Sequence, residues 1–301
     1  MIDDATLATI RARLAAELAA PAVHYHPLRI AGADAGWVDD ARHSRLVAMA
    51  DVFESRDGDL SFVGQLNDTA ARTRAMARVA RTLAAEGRLT AWRDECYEVT
   101  VAFGAPPWFL LERAAARYFG IHTHAAHVNG LVRRSDGGIA MWIARRSSTK
   151  AIDPGKLDNL VGGGIATGQT VASTVIKEAF EEAGIDASLA ARSVGVGTVH
   201  VCRDQPDGFQ RETIFVHDLW LPQGFVPACR DGEAVEHRLI ALDETAALIA
   251  SGTGPNVVTA DASVVILDCL LRHGAIRPDA PLRRELEALC APRNQWCAFA
   301  T

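Results

Sequence analysis

The stretch LDNLVGGGIATGQTVASTVIKEAFEEAGI, residues 157–185, combines a glycine cluster, a short polar loop and a segment with helical spacing. On a helix, residues three and four positions apart share a face, so the carboxylates of Glu178, Glu181 and Glu182 converge. Like charges this close repel one another unless a cation neutralises them. Mg²⁺ typically pairs one or two carboxylates with substrate phosphates, and glycines let the backbone approach an ion closely. The stretch therefore predicts a metal–phosphate site.

The opposite face of the same helix is predicted to pack on the protein core. Its apolar residues recur at the spacing of a buried stripe, and they are Ala172, Ile176, Phe180 and Ala183. Gly184 follows directly and is expected to end the helix, since glycine readily adopts the left-handed conformation found there.

The same residues resemble the Nudix box, whose family pattern is G-x5-E-x7-R-E-U-x-E-E-x-G-U with U aliphatic. The aligned positions, all at the required spacing, are Gly163, Gln169, Lys177, Glu178, Ala179, Glu181, Glu182, Gly184 and Ile185. Two of them depart from the pattern, because Gln169 stands where the first Glu would be and Lys177 where the Arg would be. A match that also demands both glycines argues against a merely solvated acidic helix.

The resemblance implies a Mg²⁺ site, with Mn²⁺ as the alternative ion. In the family pattern the metal-binding carboxylates fall on Glu178 and Glu182, and a backbone carbonyl of Gly162 or Gly163 is expected to complete the site. The carboxylate that accepts the proton of the attacking water is expected to be Glu181 or Glu182. Lys177 is counted with the catalytic residues, because the Arg at this position of the family usually orients a catalytic Glu.

The two departures carry expectations of their own. Lysine keeps the positive charge of arginine but loses its two-pronged hydrogen-bonding geometry, so Lys177 is expected to position its partner less firmly. Gln169 cannot ligate a metal as an anion, so we expect one fewer cation or weaker binding.

Three basic residues just before the box are candidates for holding a diphosphate: Arg145, Arg146 and Lys150. Exposed basic residues in a loop are more often only solvated, and the adjoining box is what favours the functional interpretation.

Further polar residues outside the box are candidates for contacts with substrate or metal. Asn159, His127 and Asn129 are candidate substrate-binding residues, although Asn159 equally fits a structural turn. Glu233 and Glu236, in a later segment, are candidates for a second metal ligand or base. A solvated acidic loop is an equally good interpretation of those two glutamates.

The likeness extends beyond the box to one branch of the family. The chain is similar to thiamine-pyrophosphokinase-related Nudix proteins, which carry an N-terminal domain of unknown function, in residues 92–95, 119–121, 127–130, 141–147, 156–161, 231–233 and 271–274. This resemblance implies hydrolysis of thiamine diphosphate, or of its oxidised oxo and oxy analogues, to the monophosphate. Residue spacing by itself shows no recognition of thiazole or pyrimidine.

Composition limits the classes of partner. The chain has 301 residues and a formal net charge of −6, and it lacks a basic tract of the kind that binds nucleic acid. The first 20 residues lack the features of a signal peptide, and no apolar run approaches the 18 or so residues of a membrane span. We therefore expect a cytoplasmic protein with a small-molecule diphosphate substrate, neither nucleic acid nor membrane as a partner, and either a monomeric or a homodimeric state.

The expected fold class is α/β, a Nudix α/β/α sandwich with a mixed sheet, preceded by a small α+β domain. Residues 1–120 form the N-terminal domain, 121–275 the hydrolase domain and 276–301 a C-terminal tail. Within the first domain we predict helices over 69–86 and 108–119. The segment 92–94 could line a ligand pocket, but a packing tryptophan beside a solvated charge pair is favoured.

Two other functions compete with this interpretation. One is a Nudix hydrolase of another diphosphate, such as ADP-ribose, NADH or a nucleotide. The other is a catalytically weak ligand-binding module, supported only by Gln169 and Lys177. The retained, mutually repelling glutamates favour the enzyme, since a binding module has no need of them.

Overall fold

The computed structural model describes residues 2–19 and 23–291, and the first part of the chain forms a small α+β unit. Its elements are α1 (Asp4–Glu17), β1 (Tyr25–Ile30), β2 (Ala33–Asp39), α2 (Asp40–Val47), β3 (Phe53–Arg56), β4 (Asp59–Phe62), α3 (Thr69–Ala85), β5 (Cys96–Val99) and β6 (Phe109–Glu112). The first four strands form a sheet in the order β2-β1-β4-β3, and β5 pairs with β6. The helix predicted over residues 69–86 is confirmed as α3, and it begins after the N-cap Asp68, whose side chain accepts a hydrogen bond from the Ala71 amide.

The helix predicted over residues 108–119 is wrong. Strand β6 occupies Phe109–Glu112 and pairs antiparallel with β5, and only a single 3-10 turn, Arg113–Ala115, follows it. Phe109 and Leu111 are fully buried in the core that also contains the apolar face of α3. Pairing and burial with distant residues therefore override the local preference for helix.

The second part of the chain is built on one mixed sheet. Its elements are β7 (His122–Arg133), β8 (Ile139–Arg146), β9 (Leu157–Asn159), β10 (Val161–Gly164), α4 (Val171–Ala183), α5 (Ala187–Ala190), β11 (Val194–Gln205), β12 (Gly208–Trp220), β13 (Ala234–Ala241), α6 (Thr245–Ala250), α7 (Ala260–Arg272) and α8 (Arg283–Cys290). The main order is β11-β12-β7-β8-β13, with β10 also on β7 and β9 also on β8. Strands β12 and β7 run parallel, and the other pairs of this sheet are antiparallel.

Helices cover both faces of this sheet, which confirms the predicted α/β/α sandwich. Alternate residues of β7 point to opposite faces, so Ala125 and Leu131 pack with α1, α6, α7 and α8, whereas Val128 and Val132 pack with α4 and α5. Helix α1 thus belongs to the core of the second part, although it begins the chain. None of the helices in the described ranges is long and apolar enough to cross a membrane.

Helix α4 ends where the sequence predicts but presents a rotated face to the core. Thr170 caps its start, and Gly184 ends it in the left-handed conformation, with φ of 65°. The buried residues are Thr174, Val175, Ala179, Glu182 and Ala183, whereas Phe180 is 48% exposed. The predicted stripe is therefore wrong at Ala172 and Phe180, which are both exposed. The sequence did not show that Glu182 would be buried with polar partners, which rotates the buried face.

Candidate active site

A cavity of about 370 Å³ lies between the large sheet and residues 90–117 of the first part of the chain. Helix α4, strand β10, the start of β12 and the loop after β8 form its other walls. Among the predicted site residues, those that line it are His127, Arg146, Lys150, Gly163, Lys177, Glu178, Glu181 and Glu233. The volume falls within the range of small-molecule sites.

Lys177 joins two of the glutamates on the α4 side of the cavity. Its Nζ atom lies 2.9 Å from Oε1 of Glu178 and 3.2 Å from Oε2 of Glu181. Burial raises the pKa of Glu178 above its usual range, and the Lys177 ammonium group only partly offsets this. Glu178 is thus a desolvated carboxyl group that gains from a neighbouring cation.

Gly163 makes room for Glu178. A Cβ atom at position 163 would lie 2.4 Å from Cδ of Glu178, closer than real Cβ contacts come. Only glycine fits here without moving the carboxylate, so the glycine and the glutamate of the predicted metal site are in direct contact.

Glu182 lies behind this surface, next to strand β10. Its Oε2 atom accepts a hydrogen bond of 2.9 Å from the Gly162 amide, and its Oε1 atom lies 3.6 Å from Nζ of Lys150. Burial raises the pKa of Glu182 to about 8, despite the lowering effect of Lys150. Glu182 therefore supports the glycine strand and does not line the cavity.

The predicted convergence of the three glutamates is not observed. Within residues 2–19 and 23–291, the groups of three side chains that bring ligand atoms within 4.8 Å of one another do not include Glu178, Glu181 and Glu182. The reason is that Glu178 and Glu181 turn to Lys177, whereas Glu182 turns to Gly162.

A divalent cation nevertheless fits this donor set. The carboxylates are hard oxygen ligands of the kind Mg²⁺ and Mn²⁺ take, and the backbone of Gly163 lies against the Glu178 side chain. Two ammonium groups, those of Lys177 and Lys150, already neutralise the same carboxylates. The residues would accept a metal ion in exchange for these contacts.

Lys150 also connects the box to the later acidic segment. Its ammonium group pairs with Glu233, and the Nη1 atom of Arg93 lies 3.5 Å from Oε1 of the same glutamate. Although burial opposes it, the hydrogen bond from Lys150 lowers the pKa of Glu233. Glu236 instead pairs with Arg145 and Arg238, which lower its pKa to about 2, and it does not line the cavity. The structure therefore brings Glu233, but not Glu236, to the site.

The two adjacent arginines of the basic loop have different positions. Arg145 donates to Glu236, to Asn256 and to two backbone carbonyls, and it does not line the cavity. Arg146 lines the cavity, with its Nη1 atom 2.7 Å from Oδ2 of Asp158. The expectation that Arg145 contacts the substrate is not supported by this geometry, because successive residues of strand β8 point to opposite faces.

The predicted substrate-binding residues of β7 and β9 form a buried hydrogen-bonded chain. The Nδ1 atom of His127 lies 2.9 Å from Oδ1 of Asn159, and Nδ2 of Asn159 donates to Oδ1 of Asn129 over 3.1 Å. Nδ2 of Asn129 donates to Oδ1 of Asp218 over 3.0 Å, and Asp218 also accepts from Arg272. Asn129 and Asn159 are fully buried, so His127 is the one member of this hydrogen-bonded series that faces the cavity.

The Asp218 carboxylate at the end of this hydrogen-bonded series determines which group donates and which accepts in each hydrogen bond. Burial opposes ionisation of Asp218, but His273 and Arg272 hold its pKa well below the usual range. An ionised carboxylate only accepts hydrogen bonds. Because Asp218 only accepts, Asn129 must donate to Asp218, and Asn159 must donate to Asn129. The Oδ1 atom of Asn159 is then the acceptor for His127, so the proton of neutral His127 is on Nδ1. The Nε2 atom is left as an acceptor, beside Gly162.

Several residues around the cavity were missed or misjudged from the sequence. Gln169 accepts a hydrogen bond from Thr174 at the start of α4 and does not line the cavity. Trp92, favoured as a packing residue, is 38% exposed, whereas its neighbour Arg93 lines the cavity. The lining residues that no sequence signal singled out include Glu95, Tyr97, Arg113, Arg117, Glu212 and Asp261.

Two family profiles match the chain. Residues 7–123 match a domain of unknown function (DUF4743), and residues 123–259 match the NUDIX domain. Nudix hydrolase 24, chloroplastic, of Arabidopsis thaliana is 42% identical over 229 residues, which are 76% of this chain and 62% of the plant protein. Nudix hydrolase 20, chloroplastic, of the same plant is 41% identical over 224 residues, 74% of this chain and 59% of that protein. The chain therefore spans less than two thirds of the length of these relatives.

Among solved structures, the NUDIX domain of Shewanella oneidensis NrtR, complexed with ADP ribose, aligns at 11% identity. The alignment covers 52% of this chain and 90% of that one, with a TM-score of 0.40.

Proposed function

Given that a Nudix domain follows a domain of unknown function in this chain, we propose that the protein is a pyrophosphohydrolase that cleaves a small-molecule diphosphate with the help of a divalent cation. The observation that carries the proposal is the contact between Gly163 and Glu178 at the wall of a small-molecule-sized cavity. Around this contact lie the desolvated Glu178 carboxyl group, the backbone of Gly163 and the Lys177 ammonium group.

Hydrolysis of a diphosphate needs neutralised phosphate oxygens and a water molecule aimed at phosphorus. Mg²⁺ or Mn²⁺, when bound, supplies charge neutralisation and Lewis acidity, and Glu178 and the backbone carbonyl of Gly163 would hold it. The third predicted ligand, Glu182, would support them from behind through its contact with Gly162. Lys177 keeps Glu178 and Glu181 in place through its two ion pairs. Arg146 and Lys150 face the same space and offer positive charge to the diphosphate.

We assign the proton-accepting role to Glu181 ahead of Glu182. Glu181 lines the cavity, and its side chain is 37% exposed, so it can reach a water molecule there. Glu182 is buried against Gly162 and is better placed to hold the glycine strand. Substitution by glutamine separates the two roles, because Glu181→Gln removes the base and leaves metal binding intact.

The proposed substrate is thiamine diphosphate or one of its oxidised analogues, and the support for it is the resemblance seen in the sequence. Water would cleave the bond between the two phosphoryl groups and give the monophosphate and inorganic phosphate. A cytoplasmic location stays a prediction, and the names of the two plant relatives include the word chloroplastic. Whether the protein is a monomer or a homodimer also stays open.

A panel of diphosphates tests the proposal. The full chain is incubated with Mg²⁺ and thiamine diphosphate, its oxo and oxy analogues, ADP-ribose or NADH, and products are identified by mass. We expect hydrolysis of a thiamine compound by wild type and at least about a hundredfold loss in Glu181→Gln, in line with the usual contribution of a general base. Glu54→Gln, at an exposed position outside the cavity, is the matched control. Hydrolysis of ADP-ribose alone would keep the reaction and replace the substrate, whereas no hydrolysis of any compound would contradict the proposal.

A further inference from the structure

The domain of unknown function forms one wall of the cavity that contains Glu178. Residues of its final segment line the cavity opposite helix α4 and strand β10: Thr90, Ala91, Arg93, Glu95, Tyr97, Arg113, Ala114, Ala116 and Arg117. A Nudix domain by itself would therefore leave this side of the site open.

Specific contacts hold this wall against the glycine loop of the Nudix domain. The amide and the hydroxyl group of Thr167 both donate to the carbonyl of Cys96, over 2.8 and 2.9 Å. A Cβ atom at Gly164 would lie 2.1 Å from the hydroxyl oxygen of Tyr97, so glycine is required for the two surfaces to meet. The β5–β6 hairpin is therefore seated directly beside the proposed metal site.

The wall brings positive charge to the cavity. Arg113 donates to Glu95 over 2.7 Å, and its guanidinium carbon lies 5.8 Å from the centre of the Tyr97 ring. Its charge acts on Glu178 across the cavity, where it partly offsets the effect of burial on the pKa of that carboxyl group. Arg93 reaches Glu233, the partner of Lys150, from the same wall.

The arginines keep donors for a ligand. A guanidinium group has five N–H donors, and within the described residues the side chain of Arg113 donates one hydrogen bond, to Glu95. Arg93 makes a single long contact of 3.5 Å, and 43% of its side chain is exposed. Planar guanidinium groups with free donors suit the oxygens of a phosphate group.

We infer that the domain of unknown function is a substrate-binding domain, in which Arg113 and Arg93 bind the diphosphate group of the ligand opposite Glu178 and Lys177. The ligand class is a small-molecule diphosphate, in keeping with a cavity of about 370 Å³. The inference builds on the proposed function, but it concerns binding and does not require that the ligand be cleaved.

Binding of methylenediphosphonate, a diphosphate analogue with a carbon bridge, tests this without turnover. Calorimetric titration of the full chain in Mg²⁺ is compared for wild type, Arg113→Ala, Arg93→Ala and the control Arg78→Ala. Arg78 is an arginine of the same domain that does not line the cavity, and its side chain is 60% exposed. Loss of a charged hydrogen bond should weaken binding about tenfold or more in the first two variants. The Arg78→Ala variant should bind within about twofold of wild type.

The outcomes separate this inference from the proposed function. Unchanged binding in both Arg113→Ala and Arg93→Ala, or no binding of the analogue by wild type, would overturn the inference even if the enzyme hydrolyses its substrate. Weakened binding in these variants would uphold it even if no diphosphate in the panel is cleaved. If Arg113→Ala fails to fold because Glu95 loses its partner, the exposed Arg93→Ala variant decides. In steady-state kinetics, the KM of both variants should rise about tenfold or more, in line with the weaker binding.

Discussion

The Nδ1 atom of His127 lies 2.9 Å from Oδ1 of Asn159, and this contact determines which ring nitrogen faces the cavity. The chain behind it ends in the Asp218 carboxylate, so neutral His127 carries its proton on Nδ1. We predict that ¹⁵N NMR of histidine-labelled protein shows the Nδ1–H tautomer for His127, with the signal assigned by its loss in His127→Gln. The variant Asn159→Leu removes the acceptor and should shift His127 toward Nε2–H. A wild-type Nε2–H tautomer would contradict the proposed direction of the chain.

The variant Gly163→Ala should lower activity by displacing the Glu178 side chain. The added Cβ atom would lie 2.4 Å from the Glu178 carboxyl carbon, so this side chain must move away from the glycine strand. We predict at least about a hundredfold loss of kcat/KM, since misplacing a group at the site by about 1 Å can cost that much. Gly64→Ala, where nothing lies within 4 Å of the added atom, is the control and should match wild type. Equal activity in Gly163→Ala would show that this contact is not needed.

Lys177, which replaces the arginine of the family pattern, can be tested by one variant that should lower activity and one that should keep or raise it. Lys177→Met leaves Glu178 and Glu181 without their shared cation, and we predict a fall in kcat/KM of about tenfold or more, from loss of charged hydrogen bonds. Lys177→Arg restores a planar group that can bond both carboxylates, so activity should equal or exceed that of wild type. Steady-state kinetics at saturating Mg²⁺ compare the variants. A fully active Lys177→Met variant would show that Lys177 has no role in catalysis.

Burial of Glu182 should make stability depend on pH. Its pKa rises from 4.5 to about 8 on folding, so the folded state holds more protons than the unfolded state between these values. The free energy of unfolding therefore decreases as pH rises from about 4.5 to about 8. Glu182→Gln keeps an acceptor for the Gly162 amide but cannot ionise. We predict that it raises Tm relative to wild type by about 2 °C or more at pH 8, with a smaller effect at pH 5. Thermal unfolding without metal checks this, and an equal difference at both pH values would contradict it.

The sequence predicted those parts of the site that depend on local spacing. The end of α4 at Gly184 and the strands and helices of the sandwich follow from patterns within short segments. The cap of α3 at Asp68 likewise depends on residues within one turn. Such features depend largely on contacts between residues close in sequence, so they can be predicted from the sequence.

The parts that escaped prediction depend on residues far apart in the sequence. Segment 108–119 is a strand because Phe109 and Leu111 are buried against a distant helix, and Arg113 reaches the cavity only as a result. Asp218 meets Asn129 only after strands β7 and β12 have paired. The sequence around each of these residues does not show which distant residue will contact it in the folded protein.

In the proposed mechanism, Glu178 holds a divalent cation that is needed for diphosphate hydrolysis. The most direct measurement is Mn²⁺ binding by electron paramagnetic resonance, together with Mg²⁺-dependent hydrolysis, for wild type and Glu178→Gln. We predict that wild type binds Mn²⁺, and that the variant loses both this binding and at least about a hundredfold of the rate, in keeping with loss of a metal's several kcal/mol of transition-state stabilisation. Equal Mn²⁺ binding and equal hydrolysis by the two proteins would contradict the claim.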